Sequence, residues 1–222
     1  MIIIAAFQAE DGGLSPPTRT TFNKGLKMKE LIIGILCCLG MAGTLFGYLK
    51  WTSKKYYNGK DQSSLSNTFY HTGWLFRALL ISLCLWLIYP ILLANGSYAD
   101  GVWTLMAPYS LLSWGKVCFA IGMGGIIGVA LNAFGNYPSE SKAHVFSASV
   151  LAAVGCAAGC MLRREWYIGA AVWVAWLIYY LIKQYRNKKA GNPNAWGLYI
   201  EEVAFYSVPT CLIIYILMNY FI

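Results

Sequence analysis

The sequence predicts an all-α integral membrane bundle of six transmembrane helices, and three observations lead to that fold class. Hydrophobic residues fill 58% of the 222 positions and charged residues only 12%, about half the charged share with which an ordinary soluble domain covers its surface. Six stretches are long and apolar enough to cross the hydrocarbon core, which takes about 20 residues of helix. The segments between them are too short to be further domains, because a chain below about 40 residues rarely holds a core of its own.

Residues 1–27 open on an apolar MIIIAAF and then turn polar around Gly12, Gly13, Pro16 and Pro17, with no helical periodicity. They lack the positive start and small-residue cleavage site of a secretory signal. MKELIIGILCCLG from Met28 reads as the natural start. Residues 1–27 are then a disordered or mis-assigned extension to a transmembrane domain covering 28–222. Spans are expected at about 31–49, 73–94, 111–134, 144–162, 166–183 and 199–221. The third needs a decision, since 101–134 is nearly uninterrupted and holds Pro108 and Lys116. Proline disfavours a helical residue before it, which assigns 96–110 to an interfacial loop or short helix. Tyr98, Trp103 and Tyr109 there, with Trp114 just beyond, suit the headgroup layer.

Lys and Arg mark cytoplasmic loops. Six spans put Lys50, Lys54, Lys55, Lys60, Lys142, Lys183, Arg186, Lys188 and Lys189 on one side, against Lys29, Arg163, Arg164 and the N-terminal Arg19, Lys24 and Lys27 on the other. Loops 50–72, 135–143 and 184–198 are therefore expected in the cytoplasm of a bacterial inner-membrane protein. Basic residues scattered at the ends of apolar segments account for the net charge of +8 and suit anionic headgroups. The expected partners are membrane lipids and a small-molecule ligand, with no nucleic acid. Two histidines are too few for a zinc site built mainly from imidazole. Cys37, Cys38, Cys84, Cys118, Cys156, Cys160 and Cys211 all lie in apolar runs, where free Cys acts as a small hydrophobe. No metal and no cofactor are expected.

Small residues recur along Ala120, Gly124, Gly128 and Asn132, and again along His144, Ala148, Ala152, Cys156 and Cys160. Such faces let helices approach closely in lipid, and a short loop makes these two spans antiparallel neighbours. Polar residues are the stronger functional signal, because ionisable groups within spans are costly and tend to face the bundle interior or a wet cavity. Asn132, His144, Glu201, Glu202, His71 and Arg77 all fall at the same membrane face by span alternation, and they form the candidate binding set. Simpler roles compete. The glutamates would suit the positive N-terminal end of the last helix, and His144 can hydrogen-bond loop backbone.

Enzyme templates fit poorly. No G-x-S-x-G elbow occurs, and Ser147, three residues after His144, has no visible oxyanion donor beside it. GMGGIIG at 122–128 lies within an apolar span, not after a strand, so it is no phosphate cradle.

SSLSNTFYHTGWLFRALL at 63–80 and NAFGNYPSESKAHVFSAS at 132–149 together resemble uncharacterised six-helix membrane proteins of bacteria and phages. They are distantly similar to the Frag1/DRAM and DUF998-type families, through the serines at 64–66, Tyr137, Pro138, His144 and Glu201 or Glu202. Those families keep the first loop outside, whereas the lysines here place it inside. The resemblance implies an architecture and no established reaction. The leading functional expectation is a polar pocket at one membrane face that binds a lipid headgroup or small molecule. The alternatives are a membrane-embedded lipid-modifying enzyme using His144 with Glu201 or Glu202 as acid and base, and a small transporter. For the transporter, no repeat relates the first three spans to the last three.

Overall fold

The computed structural model describes residues 28–95, 98–99, 102–103, 111–132, 142–191 and 194–221. The expectation for 1–27 lies outside the described residues, as do most of 96–110 and all of 133–141. The fold is an all-α membrane bundle. Its long helices are α1 (Met28–Tyr56), α3 (Trp74–Ala94), α4 (Leu111–Asn132), α5 (Lys142–Met161), α6 (Trp166–Lys189) and α7 (Trp196–Phe221), joined by a 3-10 turn at Ser66–Thr68 and a short α2 (Phe69–Thr72). These six are long and apolar enough to cross a membrane. Tyr98–Ala99 and Val102–Trp103 form a two-residue antiparallel ladder between α3 and α4.

Two helices outrun their expected ends. α1 continues to Tyr56 because its last turns still have partners: Thr52 and Ser53 are buried, and Ser53 Oγ donates to the Lys60 carbonyl at 2.8 Å. α6 continues to Lys189, with Arg186, Lys188 and Lys189 in its last turn, where positive charge complements the carbonyl end of the helix dipole.

α7 is the hub. It packs on α1, α3, α5 and α6, and 50% of its most apolar stretch is buried against 11% for α6. Tyr199, Cys211, Leu212, Tyr215 and Ile216 form its inward face. α4 and α5 are antiparallel neighbours as expected, but of the expected stripe on α4 only Gly128 is among the glycines that meet α5. Gly122, Gly125 and Gly128 make the contact, and a Cβ at Gly122 would lie 2.8 Å from the Cys156 backbone nitrogen. Ala120 and Gly124 are exposed, and Gly124 has nothing within 4 Å. In lipid an i+4 stripe of small residues does not by itself say which side meets protein, since both sides of the helix are apolar. On α5 the expected face is the packed one.

α5 is not α-helical throughout, because Ser147–Val154 forms a π-helix. Its C-terminal part Gly155–Met161 packs on α7, while the π-helical part stands away from it. This divergence opens the interior of the bundle.

The end of the bundle that holds the C-terminus of α3 and the α5–α6 turn is tied off by polar links. Arg163 Nη1 donates to the Ala94 carbonyl at 2.6 Å, Asn219 Nδ2 donates to the same carbonyl at 2.9 Å, and Tyr215 Oη donates to the Cys160 carbonyl at 2.7 Å. The C-terminal carbonyls of α3, unpartnered within their own helix, are satisfied in this way by α7 and the α5–α6 turn.

Candidate functional site

Where the π-helical half of α5 diverges from α7, a cavity of about 290 Å³ lies among α1, α3, α4, α5 and α7. Small side chains line both sides of the divergence, Ala148, Ser149, Ala152 and Ala153 on α5 and Ala204 on α7. Ser149 and Ile200 are exposed there, so the cavity opens sideways toward lipid. Its depth is apolar, with Met41, Phe76, Leu80, Leu87, Ile126 and Val129. Polar groups gather at one end: Ser66, Ser149 and Glu201.

That end is closed by a strap of residues 61–66, held across the first turns of α7. The Leu198 amide donates to the Ser63 carbonyl at 2.8 Å, the Leu65 amide donates to Glu201 Oε2 at 2.5 Å, and Tyr199 Oη donates to Asp61 Oδ2 at 2.6 Å. The first turn of a helix offers amides with no partner inside the helix, and here one of them captures the strap. Tyr48 on α1 bonds the hydroxyls of Thr68 and Thr72 at 2.6 and 2.7 Å, which fixes the continuation of the strap into α2.

Ser66 and His144, both buried, meet at 3.0 Å through Oγ and Nε2. Glu201 and Glu202 diverge, as neighbours on a helix must. Glu201 faces the cavity and the strap. Glu202 lies on the other flank, with Oε2 4.0 Å from Lys183 Nζ. Lys183 sits 3.0 Å from Asp61 and 4.5 Å from the centre of the Tyr199 ring, and Asn187 also donates to the Tyr199 hydroxyl. Asp61, in the strap, is half-buried; burial raises its pKa, but hydrogen bonds from Tyr199, Lys183 and Asn187 and the charge of Lys183 outweigh that and leave it below the ordinary carboxylate value.

The structure brings together three of the six expected binding residues, His144, Glu201 and Glu202, around the strap. The other three point elsewhere. His71 is exposed and stacked 4.8 Å from the Tyr56 ring, Arg77 lies 5.3 Å over the Phe69 ring, and Asn132 donates back to the Gly128 carbonyl of its own helix at 2.8 Å. Ser66 and Asp61 are the functional residues that charge and span position missed. Ser66 did stand in the Ser-rich segment singled out on other grounds, and Asp61 carried no signal beyond being an acid among lysines.

No family model, curated protein or solved structure matches this chain.

Among the described residues no group of three or more His, Cys, Asp or Glu side chains is arranged to hold a metal. The arrangement can take an apolar body through the side opening, hold it against α3 and α4, and hydrogen-bond a polar end to Ser66, Ser149 and Glu201.

Proposed function

We propose that this protein, a multi-pass protein of a bacterial inner membrane, binds one amphiphilic molecule drawn sideways from the bilayer between α5 and α7. The reading is carried by a single observation: the cavity is apolar along its depth, open toward lipid, and lined with hydrogen-bonding groups at one end only. Its volume of about 290 Å³ stands at the lower limit of the ~300–1,000 Å³ typical of ligand sites, which suits one chain or one compact molecule better than a two-chain lipid. In the proposed orientation the strap and loops 50–72, 135–143 and 184–198 face the cytoplasm, following the lysine count. Kinship with the Frag1/DRAM and DUF998-type families is proposed on the residues that carry the resemblance and adds nothing to the choice of ligand.

The test is to fill the cavity. Ala204→Phe should leave the melting temperature within a few degrees of wild type while abolishing whatever small molecule copurifies, as read by mass spectrometry of lipid extracts. A variant that retains the copurified molecule at wild-type stoichiometry would remove the cavity from the function.

A second reading, lipid modification, is favoured by Ser66 in the cavity wall, whose Oγ lies 3.0 Å from Nε2 of His144 behind it, since a hydroxyl bonded to an imidazole is the arrangement that activates a serine nucleophile. In it His144 takes the Ser66 proton as the Ser66 oxygen attacks. A fluorophosphonate probe should then label Ser66, forming the oxygen–phosphorus bond as fluoride leaves, and His144→Ala should abolish labelling. A folded protein that binds its amphiphile and takes up no probe is a binder and not a hydrolase.

A further inference from the structure

From the charges around the cavity we infer that its ligand is a lipophilic amine, an apolar body with a protonated nitrogen, and not a phosphate-headed lipid. This inference rests on the binding function proposed above and names its ligand class. Glu201 is the one carboxylate or basic group lining the cavity among the described residues. Among the described residues its one hydrogen bond comes from the Leu65 amide, and no basic side chain is paired with it. The neighbouring basic groups are engaged outside the lining: Lys183 is held 3.0 Å from Asp61 on the far flank of α7, Arg77 lies 5.3 Å over the Phe69 ring, and His144 lies behind Ser66, its Nε2 3.0 Å from the serine hydroxyl. A carboxylate among apolar walls needs a partner, and a protonated amine supplies both the charge and the hydrogen-bond donors. A phosphate would bring negative charge to negative charge, with no cation among the described lining residues to receive it. The aromatic lining agrees with this assignment, since Phe76 and Phe205 border the same cavity and aromatic faces attract cations. Ser66 and Ser149 can accept the remaining donor hydrogens.

The experiment uses the full chain in phosphatidylcholine nanodiscs, with decylammonium, decanol and decyl phosphate as probes. Binding is read by native mass spectrometry and by the shift in melting temperature. Glu201→Gln is the informative change, because the glutamine carbonyl can still accept from the Leu65 amide and only the charge is lost. Decylammonium should bind ahead of the other two and weaken about ten- to a hundredfold in Glu201→Gln, the range expected for a hydrogen bond to a charged group. Should Glu201→Gln fail to fold, Ser149→Lys places a cation in the opening and should reverse the order, excluding decylammonium and admitting decyl phosphate. If all three probes bind alike, Glu201→Gln changes nothing and Ala204→Phe abolishes binding, the cavity is an amphiphile site and the amine assignment is overturned. A preference for decyl phosphate in the wild type overturns it too. If no probe binds, or binding survives both Ala204→Phe and Ala153→Phe, the proposed binding function fails and the amine assignment with it.

Discussion

Asp61 is the residue through which acid should first loosen this protein. It accepts from Tyr199 and Lys183 at 2.6 and 3.0 Å, and those bonds outweigh its burial and hold its pKa below the ordinary value. A folded-state pKa lowered in this way contributes stability that is fully present above the unfolded value, near about 4, and is lost as pH falls through the lower folded value. The wild type should therefore show an acid limb in its melting temperature below about pH 4 that Asp61→Asn lacks. At neutral pH the same change should cost about 1 kcal/mol or less, because the pair is partly exposed and screened. A wild type and variant whose melting curves run parallel down to acid pH would show that Asp61 contributes nothing through its charge. At this scale the sequence was partly legible. His144, Glu201 and Glu202 stood out because ionisable groups in apolar spans are expensive, and all three do meet protein. Their partners did not stand out. Ser66 lies 78 residues from His144 and Asp61 138 residues from Tyr199, and an ordinary Ser or Asp in a polar loop gives no sign of what it will touch.

The helices were the most legible elements and their contact faces the least. Length and hydropathy locate six spans, each within a few residues at its start; the ends of α1 and α6 extend further because polar and basic residues can stay helical outside the hydrocarbon. The α4–α5 contact was inferred correctly and its register on α4 was not. Gly122→Leu or Gly125→Leu should destabilise the protein in detergent by more than about 3 kcal/mol, since the added carbons meet α5 backbone that cannot withdraw. Gly124→Leu should stay within about 1 kcal/mol of wild type, because its surroundings are open. Thermal melts of the three variants check this, and equal tolerance would mean that α4 meets α5 through another face. Nothing in the sequence announced the π-helical stretch Ser147–Val154. Its residues, SASVLAAV, are ordinary for a membrane helix.

Across the whole molecule, loops 50–72 and 184–198 belong to one surface, because the strap in the first is hydrogen-bonded to the helix that follows the second. Single cysteines introduced at Asn58 and Lys188 should be labelled by the same membrane-impermeant maleimide from the same side. In the proposed orientation that side is the interior of intact cells, so labelling should require permeabilisation. Labelling of both from outside would invert the orientation and leave the fold intact, whereas labelling from opposite sides would contradict the fold. The span count and the common face of the polar residues were legible from alternation alone. The cavity was not, because it arises from a divergence between two helices that are each apolar and unremarkable by themselves.

An α-helix advances about 100° per residue, and a π-helical stretch accommodates residues that regular α pitch would place elsewhere around the axis. Holding Ser147–Val154 to regular α pitch at unchanged length would turn the Lys142–Phe146 end of α5 by about 100° against Gly155–Met161, because the wider turns take up about one residue more than an α-helix would. His144 would swing off Ser66, and Ala148 and Ser149 would leave the opening, while Gly155 and Gly159 kept their hold on α4. The polar end of the cavity thus depends on a rotational offset the size of a single amino acid. A one-codon deletion within the stretch would remove that surplus residue and leave both ends of α5 in phase, so the bundle should assemble with His144 still beside Ser66 and a narrower opening.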